Sequence, residues 1–180
     1  MMRRFLLFIP LIIFVVVGVF LYKGLSMDPG ARDSALLNKP LPDFSLPLLD
    51  DESRIITRDE LLGEVFLLNV WGSWCPSCYD EHDEILRMAQ MGVPVVGLNY
   101  KDERPKAFRY LAQLGNPYAF NLFEPDGVRA LAFDLGVYGA PETFLIDRQG
   151  IVRYHLAGVI TPALVDGKIL PEVHKWQNVR

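Results

Sequence analysis

From Phe5 to Tyr22 the chain runs 18 residues without a charge, nearly all Leu, Ile, Val and Phe, bracketed by Arg3, Arg4 and Lys23. As a helix this run would be about 27 Å long, close to the thickness of a bilayer core. It exceeds the roughly 7–15 apolar residues of a signal-peptide core. The reading is therefore a retained signal-anchor helix, with cleavage near Gly24-Leu25-Ser26 as the competing reading. Arg3 and Arg4 would stay on the cytoplasmic side and send the rest of the chain into a bacterial periplasm. The run also skews the charge. The whole chain is −4, but without residues 1–23 the remainder holds 15 basic and 22 acidic residues, net −7. An acidic body argues against nucleic acid as a partner. A single long apolar run excludes a multi-pass transporter, and two cysteines exclude a disulfide-stapled scaffold.

The sequence divides into an anchor (1–23), a linker (24–41) and one folded domain (42–180). The linker is rich in Gly, Pro, Ser and Asp and has no period, as a flexible tether would. In the domain, Asp43–Leu48 and Arg54–Thr57 alternate apolar and polar across a turn, predicting a short N-terminal hairpin. Thr57 and Glu60 fit a capping box. Val65–Val70 and Val93–Leu98 read as buried strands, Pro76 to Met91 and Arg104–Leu114 as helices. Phe120–Phe123 reads as a strand and Gly127–Phe133 as a short helix. Thr143–Ile146 and Ile151–His155 flank a hairpin turn. A last helix would run from Thr161 to about Gln177, with Gly167 and Pro171 arguing against one piece. This order implies a three-layer α/β/α domain with a mixed sheet.

The only cysteines are Cys75 and Cys78, spaced CxxC after strand 65–70 and the loop Gly72-Ser73-Trp74. That placement sets Cys75 at a helix start, where unpaired amides and the positive dipole end favour its thiolate. Pro76 suits the first helical position. Cys78 lies one turn on, within reach to close a disulfide. Trp71 and Trp74 would shield the pair from the strand side. Two plainer readings compete. One is a zinc site completed by His82, but zinc needs four ligands and neither a second CxxC nor an HxxxH exists. The other is a structural disulfide, but so small a loop gains little chain entropy. The three histidines otherwise read as surface residues.

The run Trp71-Gly72-Ser73-Trp74-Cys75-Pro76-Ser77-Cys78 followed by Glu81-His82 resembles a thioredoxin-fold active site. With Gly136-Val137-Tyr138-Gly139-Ala140-Pro141-Glu142-Thr143-Phe144-Leu145-Ile146-Asp147 it resembles the DsbE/CcmG family, the membrane-anchored thiol:disulfide interchange proteins of cytochrome c biogenesis. The resemblance covers roughly residues 36–176 plus the anchor. It implies a thioredoxin-like fold on the periplasmic side of the inner membrane. It implies a disulfide reductase whose electrons go to apocytochrome c, or to a CcmH-type thiol protein handling it. Those electrons would come from a DsbD/CcdA-type membrane reductase. No cofactor is implied beyond the Cys75–Cys78 pair itself.

Pro141 matches the family's cis-proline, which places backbone beside the CxxC for an extended substrate. Trp74, Pro76, Tyr138, Ala140 and Glu142 would line the substrate groove. Glu81 and Glu142 match acidic groove positions, and a carboxylate there can carry protons and raise thiol pKa. The competing reading for Glu81 is a solvated helix face beside Asp80, Asp83 and Glu84. Asn69 stands where thioredoxin has a buried aspartate. It cannot carry a proton, which leaves that task to Glu81. Asn99-Tyr100-Lys101-Asp102 ends a central strand and has no assigned role. Rival functions are a general reductase of the ResA/TlpA kind, an oxidase, and a metal or haem chaperone using Cys75, Cys78 and His82.

Overall fold

Successive side chains of a strand point to opposite faces. In β3 (Phe66–Trp71) all six are buried, so both faces of this strand are covered. The structure, a computed structural model, describes residues 13–19, 36–127 and 131–179. Of the apolar run only 13–19 fall among these; they are helical and exposed. The rest of the anchor and residues 24–35 of the linker lie outside the described residues. Among the described residues no helix is long and apolar enough to cross a membrane. The chain divides into units Met1–Ala31 and Arg32–Arg180, and the second holds every strand among the described residues.

β1 (Ser45–Pro47) and β2 (Ile55–Thr57) pair antiparallel, with Leu46 opposite Ile56. A 3₁₀ turn, Arg58–Leu61, comes next, and the Thr57 amide donates to Glu60 Oε1 at 3.0 Å. After β3 come α1 (Pro76–Gln90), β4 (Val95–Tyr100), α2 (Arg104–Leu114) and β5 (Phe120–Glu124). Then come α3 (Leu131–Asp134), β6 (Glu142–Ile146) and β7 (Val152–Ala157). The main sheet is ordered β5-β4-β3-β6-β7. β3, β4 and β5 are parallel, while β6 and β7 run antiparallel to their neighbours, so the sheet is mixed. Leu131–Phe133 of the expected Gly127–Phe133 helix are helical in α3, and residues 128–130 lie outside the described residues.

The alternation along β3 sorts the core in two. Leu67 and Trp71 face Ile85 and Met88 of α1, Tyr110 of α2, and Val165 and Val173 near the C-terminus. Phe66, Leu68 and Val70 face Leu46, Ile56, Leu131 and Phe144. The second face is thus covered by the small hairpin and the four-residue α3. Asn69 falls on the first face, with α1. That register decides what the site can use.

Two expectations change. The end of the linker is pinned along β7: the Asn38 amide donates to Val152 O, the Leu41 amide to Gly150 O, and Leu41 is buried. The C-terminal helical run is continuous despite Gly167 and Pro171. Pro162–Leu164 is α-helical, Val165–Ile169 forms a π turn, and α4 (Leu170–Asn178) completes it. Pro171 has no N–H for the Gly167 carbonyl. The widened turn absorbs that loss, the Leu170 amide reaching back five residues to Val165 O.

One position keeps β4 close to the site. Gly97 pairs with Asn69 and Asn121 on the flanking strands. A Cβ there would collide with Asn121 Oδ1 and come within 2.8 Å of Trp71 Nε1. Those two atoms share a hydrogen bond of 3.2 Å. Gly97→Ala is expected to destabilise the fold by about 1–3 kcal/mol in urea unfolding, as overpacking does.

Candidate active site

β3 ends at Trp71, and the loop to α1 delivers Cys75 as the N-cap of that helix, with Pro76 in its first turn. Cys75 and Cys78 form a disulfide, their Cα atoms 5.4 Å apart. The Cys78 amide donates to Cys75 Sγ at 3.1 Å, so a helix-start donor already faces the sulfur. No acidic residue stands in the first turn of α1 to cancel the dipole. Both cysteines are only 2% exposed. Trp71 is buried beside them, its ring stacked on Tyr118 at 5.4 Å. Trp74 is half exposed instead, its indole N–H donating to Tyr100 O at 2.9 Å. It therefore lies at the surface rather than shielding the strand side.

Glu81 is 1% exposed, which overturns the solvated-face reading. Cys78 and Glu81 are three residues apart on α1, hence on one face of the helix. Its Oε1 accepts from Asn69 Nδ2 at 2.9 Å and its Oε2 from the Ile160 amide at 2.8 Å. Burial penalises the charged form and raises the Glu81 pKa from 4.5 to about 7; the two donors pull it back only in part. Asn69 is the hub: it also donates to Thr143 Oγ1 at 3.0 Å and accepts from the Tyr118 hydroxyl at 2.9 Å. Burial raises the Tyr118 pKa well above its usual value, so this hydroxyl stays a donor.

The Ala140–Pro141 peptide bond is cis. β6 pairs with β3 so that Val70 opposes Glu142, which sets Pro141 beside the end of the strand that leads to Cys75. Ala140 packs against the apolar cluster containing both cysteines. Glu142 is buried, and its oxygens hold the loop: Oε1 accepts from the amides of Tyr138 (2.8 Å) and Gly139 (3.3 Å). Oε2 bonds His155 Nε2 at 2.8 Å. Its geometry is that of a clamp on the cis-proline loop. Tyr138 is 88% exposed. Pro76 is exposed as well.

Two of the three histidines are not surface residues. His82 is 2% exposed, with Nε2 against Gly115 O and Nδ1 against the Tyr110 hydroxyl, both at 3.1 Å. Burial lowers its pKa, favouring the neutral ring. Both ring nitrogens are engaged in hydrogen bonds. Among the described residues no cluster of His, Cys, Asp and Glu is arranged to hold a metal ion. The ring of His155 stacks on Phe144 with centroids 4.3 Å apart.

Asp102, given no role from the sequence, has one in the structure. Its carboxylate accepts from the Ser73 amide (2.6 Å), the Ser73 hydroxyl (2.7 Å), Asn99 Nδ2 (2.9 Å) and the Glu103 amide (2.7 Å). It anchors the loop that carries Cys75. The available signal was its place at the C-terminal end of a parallel strand, where such sheets put their sites. Tyr110 was also missed; its hydroxyl lies 2.9 Å from Cys78 O and 3.1 Å from His82 Nδ1, and with His82 neutral its one proton is shared between these two acceptors.

Comparison with known proteins agrees with this geometry. The Redoxin family model matches residues 36–166. The chain is 50% identical to the thiol:disulfide interchange protein DsbE of Pseudomonas aeruginosa over 159 residues, covering 88% of this chain and 87% of that protein. It is 46% identical to DsbE of Escherichia coli K12 over 183 residues, covering 98% of each. A secreted thiol-disulfide isomerase from Corynebacterium glutamicum shares the fold, with a TM-score of 0.66 at 24% identity over 82% of this chain and 96% of that one. At this likeness over nearly its whole length, the chain belongs to the redoxin family and, within it, to the DsbE-type thiol:disulfide interchange proteins, which are thiol oxidoreductases.

Proposed function

We propose that the protein is a reductant anchored in the inner membrane by residues 5–22, with its redox domain in the periplasm. It reduces the disulfide of apocytochrome c, or of a CcmH-type thiol protein handling it, during cytochrome c maturation. A DsbD/CcdA-type membrane reductase recharges it. The pair itself carries the two electrons, and no further cofactor is assigned. Membership of the DsbE-type family supports the pathway. The uncharged run after Arg3 and Arg4 supports the anchor. The observation that carries the direction of electron flow is Glu81. A dithiol becomes oxidising when its reduced, thiolate form is stabilised. A buried carboxyl one turn beyond Cys78 penalises a thiolate there, so the reduced form yields its electrons more readily.

In the proposed exchange Cys75 is the attacking and Cys78 the resolving cysteine. Cys75, at the helix start, attacks a substrate sulfur as its thiolate; a Cys75–substrate bond forms and the substrate's second sulfur leaves as a thiolate. Cys78 then loses its proton and attacks Cys75 Sγ, forming the intramolecular disulfide and releasing the second substrate thiol. Glu81, ionised about half the time near pH 7, is suited to take the Cys78 proton. The cis-proline loop clamped by Glu142 offers backbone to an extended substrate.

Cys75→Ser is expected to abolish reduction. Cys78→Ser is expected to accumulate a mixed disulfide with the acceptor, visible on a non-reducing gel; no trapped species would count against the scheme. Glu81→Gln is expected to slow the resolving step by about 10²-fold at pH 7 and to erase a rate inflection near that pH. Stability should move the opposite way. Protonated Glu81 favours the folded oxidised protein fully below about pH 4.5, and that advantage is lost as pH rises through about 7. Urea unfolding should show a loss of up to about 3 kcal/mol from this group between pH 4.5 and 8, absent in Glu81→Gln.

A further inference from the structure

The body of this protein is acidic, yet one cleft beside its redox pair is not. A polar cleft of about 260 Å³ is lined by Ser73, Tyr79, Lys106, Arg109, Tyr110 and Gln113. Its inner wall belongs to the active-site loop. Ser73 lies two residues before Cys75 and Tyr79 comes directly after Cys78. The Tyr79 hydroxyl donates to Ser73 O at 3.4 Å, and the Tyr110 hydroxyl lies 2.9 Å from Cys78 O. A group seated here would lie against side chains of the chain neighbours of the two cysteines.

The outer wall is α2. Lys106 and Arg109, three residues apart, project from one face of that helix, and both are exposed. Lys106 bonds Glu103 at 2.6 Å, an exposed pair that solvent screens. Arg109 Nε donates to Pro105 O at 3.2 Å, and among the described residues no carboxylate pairs with this guanidinium. Arg104 on the same helix differs, being bound by Glu52 and by the Leu48 carbonyl. The exposed acids of α1, Asp80 and Asp83, form no part of the lining.

We propose that this cleft is a subsite for a carboxylate on the substrate polypeptide, next to the disulfide being exchanged. The guanidinium of Arg109 can bind a carboxylate through two parallel N–H bonds, with Lys106 Nζ and the Gln113 amide as further donors. The protein thereby prefers partners whose disulfide is flanked by Asp or Glu, chiefly through faster encounter. This subsite serves the same Cys75–Cys78 pair and rests on its reading as a reductant.

The test compares two matched disulfide peptides, one with Asp and one with Lys beside the cysteines, reacting with the reduced full-length protein at low salt. The acidic peptide should react about tenfold faster, and 0.5 M salt should narrow the gap. In R109E and in K106E/R109E the preference should reverse. Equal rates with the native protein, or a ratio that survives charge reversal, would overturn the subsite. If neither peptide is reduced, the reductant reading fails, and cysteine-free versions of the two peptides still judge the cleft through their binding, read by titration calorimetry. Tighter binding of the acidic peptide, lost in R109E, upholds the subsite; equal binding overturns it.

Discussion

The arrangement of the site depends on one buried carboxyl group. Glu81 joins helix α1, strand β3 through Asn69 and the loop after β7 through the Ile160 amide. Placing a carboxylate in such surroundings is costly unless its oxygens are satisfied or it takes up a proton. Here both oxygens accept a hydrogen bond, and the pKa still rises to about 7. The outcome is a group held in place whether or not it is charged, on the helix face that also carries Cys78. The hub that positions it, Asn69, uses both amide hydrogens and its oxygen.

Around that centre the fold supplies three separate restraints, two on the redox loop and one on the cis-proline loop. Asp102 grips Ser73 from the end of β4. Tyr110 holds the Cys78 carbonyl from α2 and shares its hydroxyl with His82. Glu142, braced by His155 on the neighbouring strand, holds the amides of the cis-proline loop. Each restraint comes from a different element, so the two sulfurs and the proline loop are set by the sheet rather than by the loops alone. Function placed on rigid elements in this way is better fixed than function on loops.

Much of this was legible in the residues. Periodicity located α1, α2 and the sheet strands to within a few residues, because long buried runs and Pro-led helix starts are strong local signals. The CxxC at a strand-to-helix loop, and the proline loop, carried the chemistry through motifs. What stayed hidden was long-range. That Glu81 is buried while Asp80 and Asp83 beside it are exposed depends on which helix face meets β3. Asp102 looked like any polar strand end until the fold brought Ser73 to it. His82 and His155 looked like surface residues because nothing local announces a partner 28 residues away, as Tyr110 is from His82. Glu142 is a milder case: the motif marked it, while the tertiary structure shows it gripping backbone amides.

Two opposing influences set the direction in which the pair moves electrons. A helix-start cysteine without a compensating acid in the first turn would favour the thiolate and push the pair toward an oxidant. The buried Glu81 opposes that push from one turn beyond Cys78. The most direct measurement is the reduction potential of Cys75–Cys78, equilibrated with glutathione at pH 7. The predicted value is at or below about −180 mV, on the reducing side of the known range; a value near about −120 mV, that of the strongest oxidants, would contradict the reductant.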